Sequence, residues 1–370
     1  MNDAQKQSLI RFLNDREHLD VTGNALLVRH RGGEIFRCFT GDADDQTLFR
    51  IYSMTKVLTV MAALQLYEQG LYAMDDPLGE YIPEFRSMRV WDAAAGKAVP
   101  AKNPIRIRDL FCMSAGLTYE GTGGETARTL LEIRKKLEAE LPGEQYTTQQ
   151  YVRLMAQAPL AFEPGTHWNY SLCHDVLGAL VEVLSGQLLG EYMREHIFAP
   201  LGMQHTFFRC PEELRAHMAT HSDPGGDAKF GSEARYESGG GGQLSTADDY
   251  MRFAEALTNW GTSPDGVRIL GRKTVELLRM DQLNEQQKCD FNWDYLAGYS
   301  YGLGVRTLVD PARAGIPGTK GEFGWCGVLG TWVLMDPEEQ LTAVYMHQRY
   351  PNLEKYVQTH LRPMIYGAIG

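Results

Sequence analysis

Leu48-Phe-Arg-Ile-Tyr-Ser53-Met-Thr-Lys56-Val-Leu-Thr-Val-Met-Ala-Ala-Leu-Gln-Leu66 changes from a β-like pattern to a helical one at Ser53. The helix it predicts covers about residues 53–69, and Gly70 supplies its stop. Val57, Leu58, Val60, Met61, Ala62, Ala63, Leu64 and Leu66 make it apolar nearly all round, so it should be central and buried. Ser53 and Lys56 stand three residues apart, on one helical face. Met54 and Thr55 point away from that face and should pack. A serine hydroxyl is a weak nucleophile until a base takes its proton. Lysine serves as that base once desolvation or a nearby cation makes it neutral. The helix start also aims backbone N–H groups at developing negative charge.

Outward from this stretch, the runs 24–30 and 34–40 flank Arg31-Gly-Gly33 and read as a β-hairpin. Residues 4–18 read as an amphipathic helix. Helical patterns at 127–141, 148–157 and 174–185 follow, with Thr147 or Thr148 able to cap the second and Gly186 ending the third. Glu132 and Lys136 make an i,i+4 pair on a solvated face. After Ser238-Gly-Gly-Gly-Gly242, Ser245-x-x-Asp248 resembles a capping box for a helix to about residue 257. β texture returns at 301–309, 322–326, 328–335 and 341–347, and a helix over 353–365 closes the chain. No internal repeat is visible. The expected fold is α+β: an antiparallel sheet flanked by helices. Residues 1–80 and 236–370 would form one discontinuous domain, with a mainly helical insertion over 81–235.

The chain has 370 residues, 44% hydrophobic and 22% charged, an ordinary globular mixture. Its formal net charge of −11 lacks the cationic field that nucleic acid or an anionic membrane would require. The polar N-terminus has no apolar core of a signal peptide, and the apolar run 57–66 is about half a membrane span. Six cysteines without paired spacing read as free thiols, and the expected compartment is the cytoplasm.

Gly298-Tyr-Ser300-Tyr-Gly302 is a formal GxSxG. A nucleophile elbow needs a helix directly after the serine, whereas residues 303–309 are β-like, so the motif is a decoy. His167, His174, His196 and His205 form no metal-binding spacing, and no glycine-rich run opens a phosphate cradle. Neither a metal nor any other cofactor is expected. Cys112 and Cys326 read as small packing residues, with Cys326 open to alkylation.

The Ser53-x-x-Lys56 pair is followed by Glu163-Pro-Gly-Thr-His167-Trp-Asn-Tyr170-Ser, by the 238–249 glycine run, and by Phe323-Gly-Trp325-Cys-Gly327. This order resembles the serine β-lactamase and penicillin-binding-protein-like hydrolases, in particular the class C β-lactamase and esterase branch, over roughly 25–350. Residues 106–117 resemble the family's segment on the far wall of the cleft. The resemblance implies the β-lactamase/transpeptidase-like fold. It implies Ser53 as acylated nucleophile, Lys56 as its proton partner, and Tyr170 as second general acid or base. A phenol near pKa 10 would need a cation such as Lys56 to lower it. The backbone N–H groups of Ser53 and Val328 would form the oxyanion hole, and Gly327 fits a close approach of backbone to substrate.

Two positions depart from lactam-processing members. Trp325 stands where Lys or His usually attracts a carboxylate, and Leu172 where Asn usually binds an amide. Both make the cleft more apolar, as in esterase-like members, with Trp325, Cys326, Gly327, Leu172 and His167 the expected substrate contacts. The expected activity is hydrolysis of small-molecule carboxylic esters of modest size through an acyl-enzyme. A β-lactamase or D-amino-acid peptidase is the alternative, and a penicillin-binding-type sensor or scaffold with little turnover is a second.

Overall fold

Strands from both ends of the chain meet in one antiparallel sheet. The computed structural model describes residues 1–221 and 228–369, so residues 222–227 of the 81–235 segment lie outside the described residues. The strands are β1 (Gly23–His30), β2 (Gly33–Gly41), β3 (Phe49–Arg50), β4 (Arg89–Asp92), β5 (Lys97–Pro100), β6 (Leu244–Ser245), β7 (Tyr299–Tyr301), β8 (Arg306–Leu308), β9 (Phe323–Gly324), β10 (Trp332–Asp336) and β11 (Leu341–His347). Seven of them form the main sheet, in the order β2-β1-β11-β10-β9-β8-β7. The β1–β11 pairing, with Leu26 opposite Tyr345, joins the N-terminal and C-terminal parts.

Side chains alternate across a strand, so each strand feeds two cores. Ala25, Leu27, Val333, Met335, Val344 and Met346 face the larger core, which contains the Thr55–Glu68 helix. That helix packs on the Cys173–Ser185 helix. Leu26, Val28, Leu334, Ala343 and Tyr345 face the other side. There the terminal helices Asp3–Leu13 and Glu354–Tyr366 cover them with Leu9, Leu13, Val357, Leu361 and Ile365.

Several elements differ from the pattern expected of the sequence. The run 301–309 is a hairpin, β7–β8, because Gly304 at φ +75° turns the chain. Its backbone lies against Val60 and His174, where a Cβ would come within 2.8 Å of both side chains. The last long strand pair starts at Trp332, since Gly330 (φ +104°) sits on the His347 ring and turns the preceding residues. The first helix ends at Leu13, where Asn14 caps it. Thr246, not Ser245, caps the Ala247–Thr258 helix by accepting from the Asp249 N–H; Ser245 is already committed to β6. Thr147 caps the Thr148–Met155 helix with a full capping box to Gln150.

Candidate active site

The strand-to-helix change at Ser53 is sharp because Tyr52 adopts φ +42°. A non-glycine residue there costs on the order of 1–3 kcal/mol and persists only where its surroundings impose it. A 3-10 turn over Tyr52–Met54 then leads into the Thr55–Glu68 helix. Two hydrogen bonds pin this turn: Ile51 N–H to the Gln243 carbonyl (3.1 Å) and Tyr250 Oη to the Met54 carbonyl (2.9 Å). Ser53 is left partly exposed at the start of a buried helix.

Lys56 is fully buried. Its Nζ donates to Ser53 Oγ (3.2 Å), Tyr119 Oη (2.9 Å) and the Gly240 carbonyl (2.6 Å). Burial pushes its pKa down to about 8, while the nearby Asp175 carboxylate pulls the other way. The glycine run makes this burial possible. A Cβ on Gly239 would lie 2.4 Å from the His174 carbonyl, and one on Gly240 would lie 2.5 Å from an Asp175 carboxylate oxygen. With side chains there, the backbone could not cover the ammonium.

Tyr170 presents its ring to Lys56, with Nζ 4.6 Å from the centroid, and its hydroxyl accepts a hydrogen bond from Trp325 Nε1 at 2.9 Å. Lys56 does not lower this phenol as expected. Burial pushes the pKa well above the ordinary tyrosine range, against smaller opposing effects of hydrogen bonds to Ser53 and Trp325. Tyr170 therefore holds its proton at neutral pH. Of the two groups, the lysine is the one that loses its proton near pH 8 and can then act as a base.

Ser53, Tyr170, Leu172 and Val328 line one cavity of about 340 Å³, together with Tyr52, Tyr119, Asp175, Ser238 and Gly240 to Gly242. The other expected substrate contacts lie elsewhere. Trp325 is buried behind Tyr170 and offers its N–H to that hydroxyl, not its face to a ligand. Cys326 is buried against Glu354 and Arg306, and desolvation raises its thiol well above the usual range, which opposes alkylation. His167 pairs with Asp290 at 3.0 Å and is not a lining residue. Gly327 is needed for closeness to protein rather than to substrate: a Cβ would lie 2.3 Å from Thr331 Oγ1 and 2.5 Å from the Ile51 carbonyl. That contact sets the segment before Val328 beside the Ser53 turn.

Tyr119 and Asp175 were not singled out by sequence. Tyr119 lies two residues beyond the segment read as the far wall, and nothing in its spacing marks it. Asp175 has a readable signal: an acid in the first turn of a largely apolar helix. It is fully buried and accepts from Tyr236 Oη (2.5 Å) and Ser238 Oγ (2.6 Å). The cavity is also less apolar than expected, because Glu120, Arg134, Glu144, Lys229 and Tyr236 form another part of its wall. Among the described residues no three His, Cys, Asp or Glu side chains gather as a metal site, and no helix is long and apolar enough to cross a membrane.

A Ser-x-x-Lys turn under an antiparallel sheet of this order points to one class of proteins, and the chain belongs to it: residues 12–362 match the Beta-lactamase family. Protein Rv1367c of Mycobacterium tuberculosis is 34% identical, over 83% of this chain and 79% of that protein. Esterase EstB of Burkholderia gladioli is 29% identical, covering 95% of this chain and 92% of its own. Among solved structures, EstCE1, titled a hydrolase with promiscuous acyltransferase activity, matches with a TM-score of 0.78 and 25% identity, over 98% of this chain and 97% of that one. The fold and family make this chain a hydrolase.

Proposed function

We propose that the protein is a serine esterase that forms an acyl-enzyme on Ser53. The observation that carries this reading is the buried Lys56 amine 3.2 Å from Ser53 Oγ, where Ser53 itself lines a cavity with Tyr170 and Val328. Likeness to EstB favours esters as the substrate class. Neutral Lys56 takes the Ser53 proton, and Oγ attacks the ester carbonyl. The Ser53 and Val328 N–H groups would receive the oxyanion. The tetrahedral intermediate collapses by breaking the bond to the alkoxide, which takes a proton through Tyr170 while Lys56 replaces the proton Tyr170 gives up. Water then attacks the acyl-enzyme by the same route in reverse, yielding the acid and free Ser53. Trp325 orients the Tyr170 hydroxyl throughout and leaves no cation at the position where lactam-processing relatives place one.

Likeness to EstCE1 favours a second outcome of the same intermediate, transfer of the acyl group to an alcohol instead of water. Rates on p-nitrophenyl acetate and butyrate, a chromogenic cephalosporin and a D-Ala-D-Ala peptide test the ester reading. Ready hydrolysis of the nitrophenyl esters with slow or absent cephalosporin turnover is expected. Cephalosporin hydrolysis at or above the ester rate overturns it. Addition of a simple alcohol to the ester assay, with product analysis, measures the transfer branch.

A further inference from the structure

The cavity that begins at Ser53 also has a wall built from charged groups, and their arrangement bears on what the rest of a substrate looks like. Arg134 is ion-paired with Glu120 at 3.3 Å and with Glu144. Its guanidinium also lies 5.5 Å from the ring centroids of Tyr151 and Tyr236. This cation is thus committed to the protein. At this end the lining residues carry two carboxylates (Glu120 and Glu144) against two cations (Arg134 and Lys229), while Asp175 lies toward Lys56 and is held by Tyr236 and Ser238, so no formal charge remains over here for a charged ligand.

Glu144 is the unusual member. Its backbone has φ +57°, the left-handed region, directly after Gly143 at φ +73°. Its carbonyl is pinned by the N–H groups of Arg235 (2.7 Å) and Tyr236 (3.1 Å). A glycine would adopt this conformation without strain, so the side chain is kept at a conformational cost. That side chain lines the cavity and is only 8% exposed. One carboxylate oxygen accepts from Arg134, and the other has no hydrogen-bond partner among the described residues. A buried carboxylate oxygen without a donor is costly, and a donor brought in by a ligand would offset that cost.

We infer that the Glu120, Arg134 and Glu144 end of the cavity is a subsite for a neutral, hydroxyl-bearing group of the ester, with Glu144 setting the preference. A hydroxyl donates to the carboxylate without importing charge. An ammonium or carboxylate would lose its hydration and find a balanced wall, with Arg134 already paired. The inference rests on the ester reading above and replaces the expectation of an apolar cleft with one whose far end is polar and charge-balanced.

Two pairs of esters test it on the full chain: 2,3-dihydroxypropyl butanoate against propyl butanoate, and p-nitrophenyl 3-hydroxybutanoate against p-nitrophenyl butanoate. One gained hydrogen bond to a charged acceptor predicts a kcat/KM ratio of about tenfold in favour of the hydroxylated member of at least one pair. Butanoylcholine and carboxymethyl butanoate should fall below the favoured hydroxylated ester. In Glu144→Ala the favoured ratio should collapse toward one. Ratios under about fivefold in both pairs, a charged ester preferred to the hydroxylated ones, or a ratio unchanged in a folded Glu144→Ala protein each overturn the subsite. Should that variant not fold, the wild-type ratios decide alone. Hydrolysis of none of the esters overturns the ester reading and the subsite together, whereas hydrolysis without preference removes only the subsite.

Discussion

Ser53 and Ser300 both sit in short motifs associated with nucleophilic serines, and the structure treats them differently. Ser300 lies in β7, is 2% exposed, and donates to Asp281 at 2.5 Å. The chain after it turns through Gly302–Gly304 into β8, so no helix start faces its hydroxyl. Its hydrogen-bond partner in that contact is a carboxylate, which holds the hydroxyl proton in place, and not a lysine amine. Ser53 follows a residue in the left-handed region, opens a helix, faces a cavity, and has a buried amine at hand. The lesson is that the backbone around a motif decides what its serine faces. A strand buries a serine as a polar packing residue, while a strained strand-to-helix turn exposes it above a desolvated base.

Mutation of the two serines is the strongest way to break this comparison. Ser53→Ala should lower esterase kcat by roughly 10³-fold or more and abolish the single fluorophosphonate adduct seen by intact mass. Ser300→Ala should keep that adduct. An adduct lost in Ser300→Ala and kept in Ser53→Ala would reverse the assignment.

Lys56 sharpens the same contrast. Lys56→Arg should be almost as inactive as Lys56→Ala, roughly 10²–10⁴-fold below wild type, because a guanidinium keeps its charge and cannot take the proton. Substantial turnover by the arginine variant would make Lys56 a positive charge rather than a base. In the wild type, kcat/KM should rise about tenfold per pH unit below the lysine pKa of about 8 and level off above it, since the reactive amine is the deprotonated form. A flat profile from pH 6 to 9 would remove Lys56 as the titrating base.

The Trp325 hydrogen bond carries a smaller effect. Trp325→Phe removes the donor at Tyr170 and should lower kcat by about tenfold, with KM for nitrophenyl butyrate little changed, because the indole donates to the proposed catalytic hydroxyl and is not a lining residue of the cavity. A change confined to KM would return Trp325 to the cavity wall. The smallest expected change is in Ser300→Ala stability. Loss of one buried hydrogen bond to Asp281 should cost about 1–2 kcal/mol, measured as a lower midpoint in urea, with activity retained.

Much of the candidate site was legible because its parts are local. Ser53 and Lys56 are three residues apart on one helix, and the apolar residues around them announce burial. The order of the remaining motifs carried the family and, with it, Tyr170 and Val328. Trp325, Cys326 and His167 do not line the cavity; proximity in sequence to a motif does not say which way a side chain faces. In β9 and the residues after it, Trp325 turns inward to Tyr170 and Cys326 to Glu354.

The sequence by itself determined the α+β architecture with strands at both ends, the buried helix behind Ser53, and the decoy character of Ser300. These follow from periodicity and chain order, which are properties of neighbouring residues. Only the tertiary structure decided the state of Tyr170, the place of Tyr119 and Asp175 beside Lys56, and the charge-balanced wall of Glu120, Arg134, Glu144 and Lys229. Those features depend on which distant segments desolvate one another. Arg134 and Tyr236 are about a hundred residues apart in the chain, yet guanidinium and ring meet at 5.5 Å. A pKa or an ion pair is set by that through-space neighbourhood, and no local pattern records it.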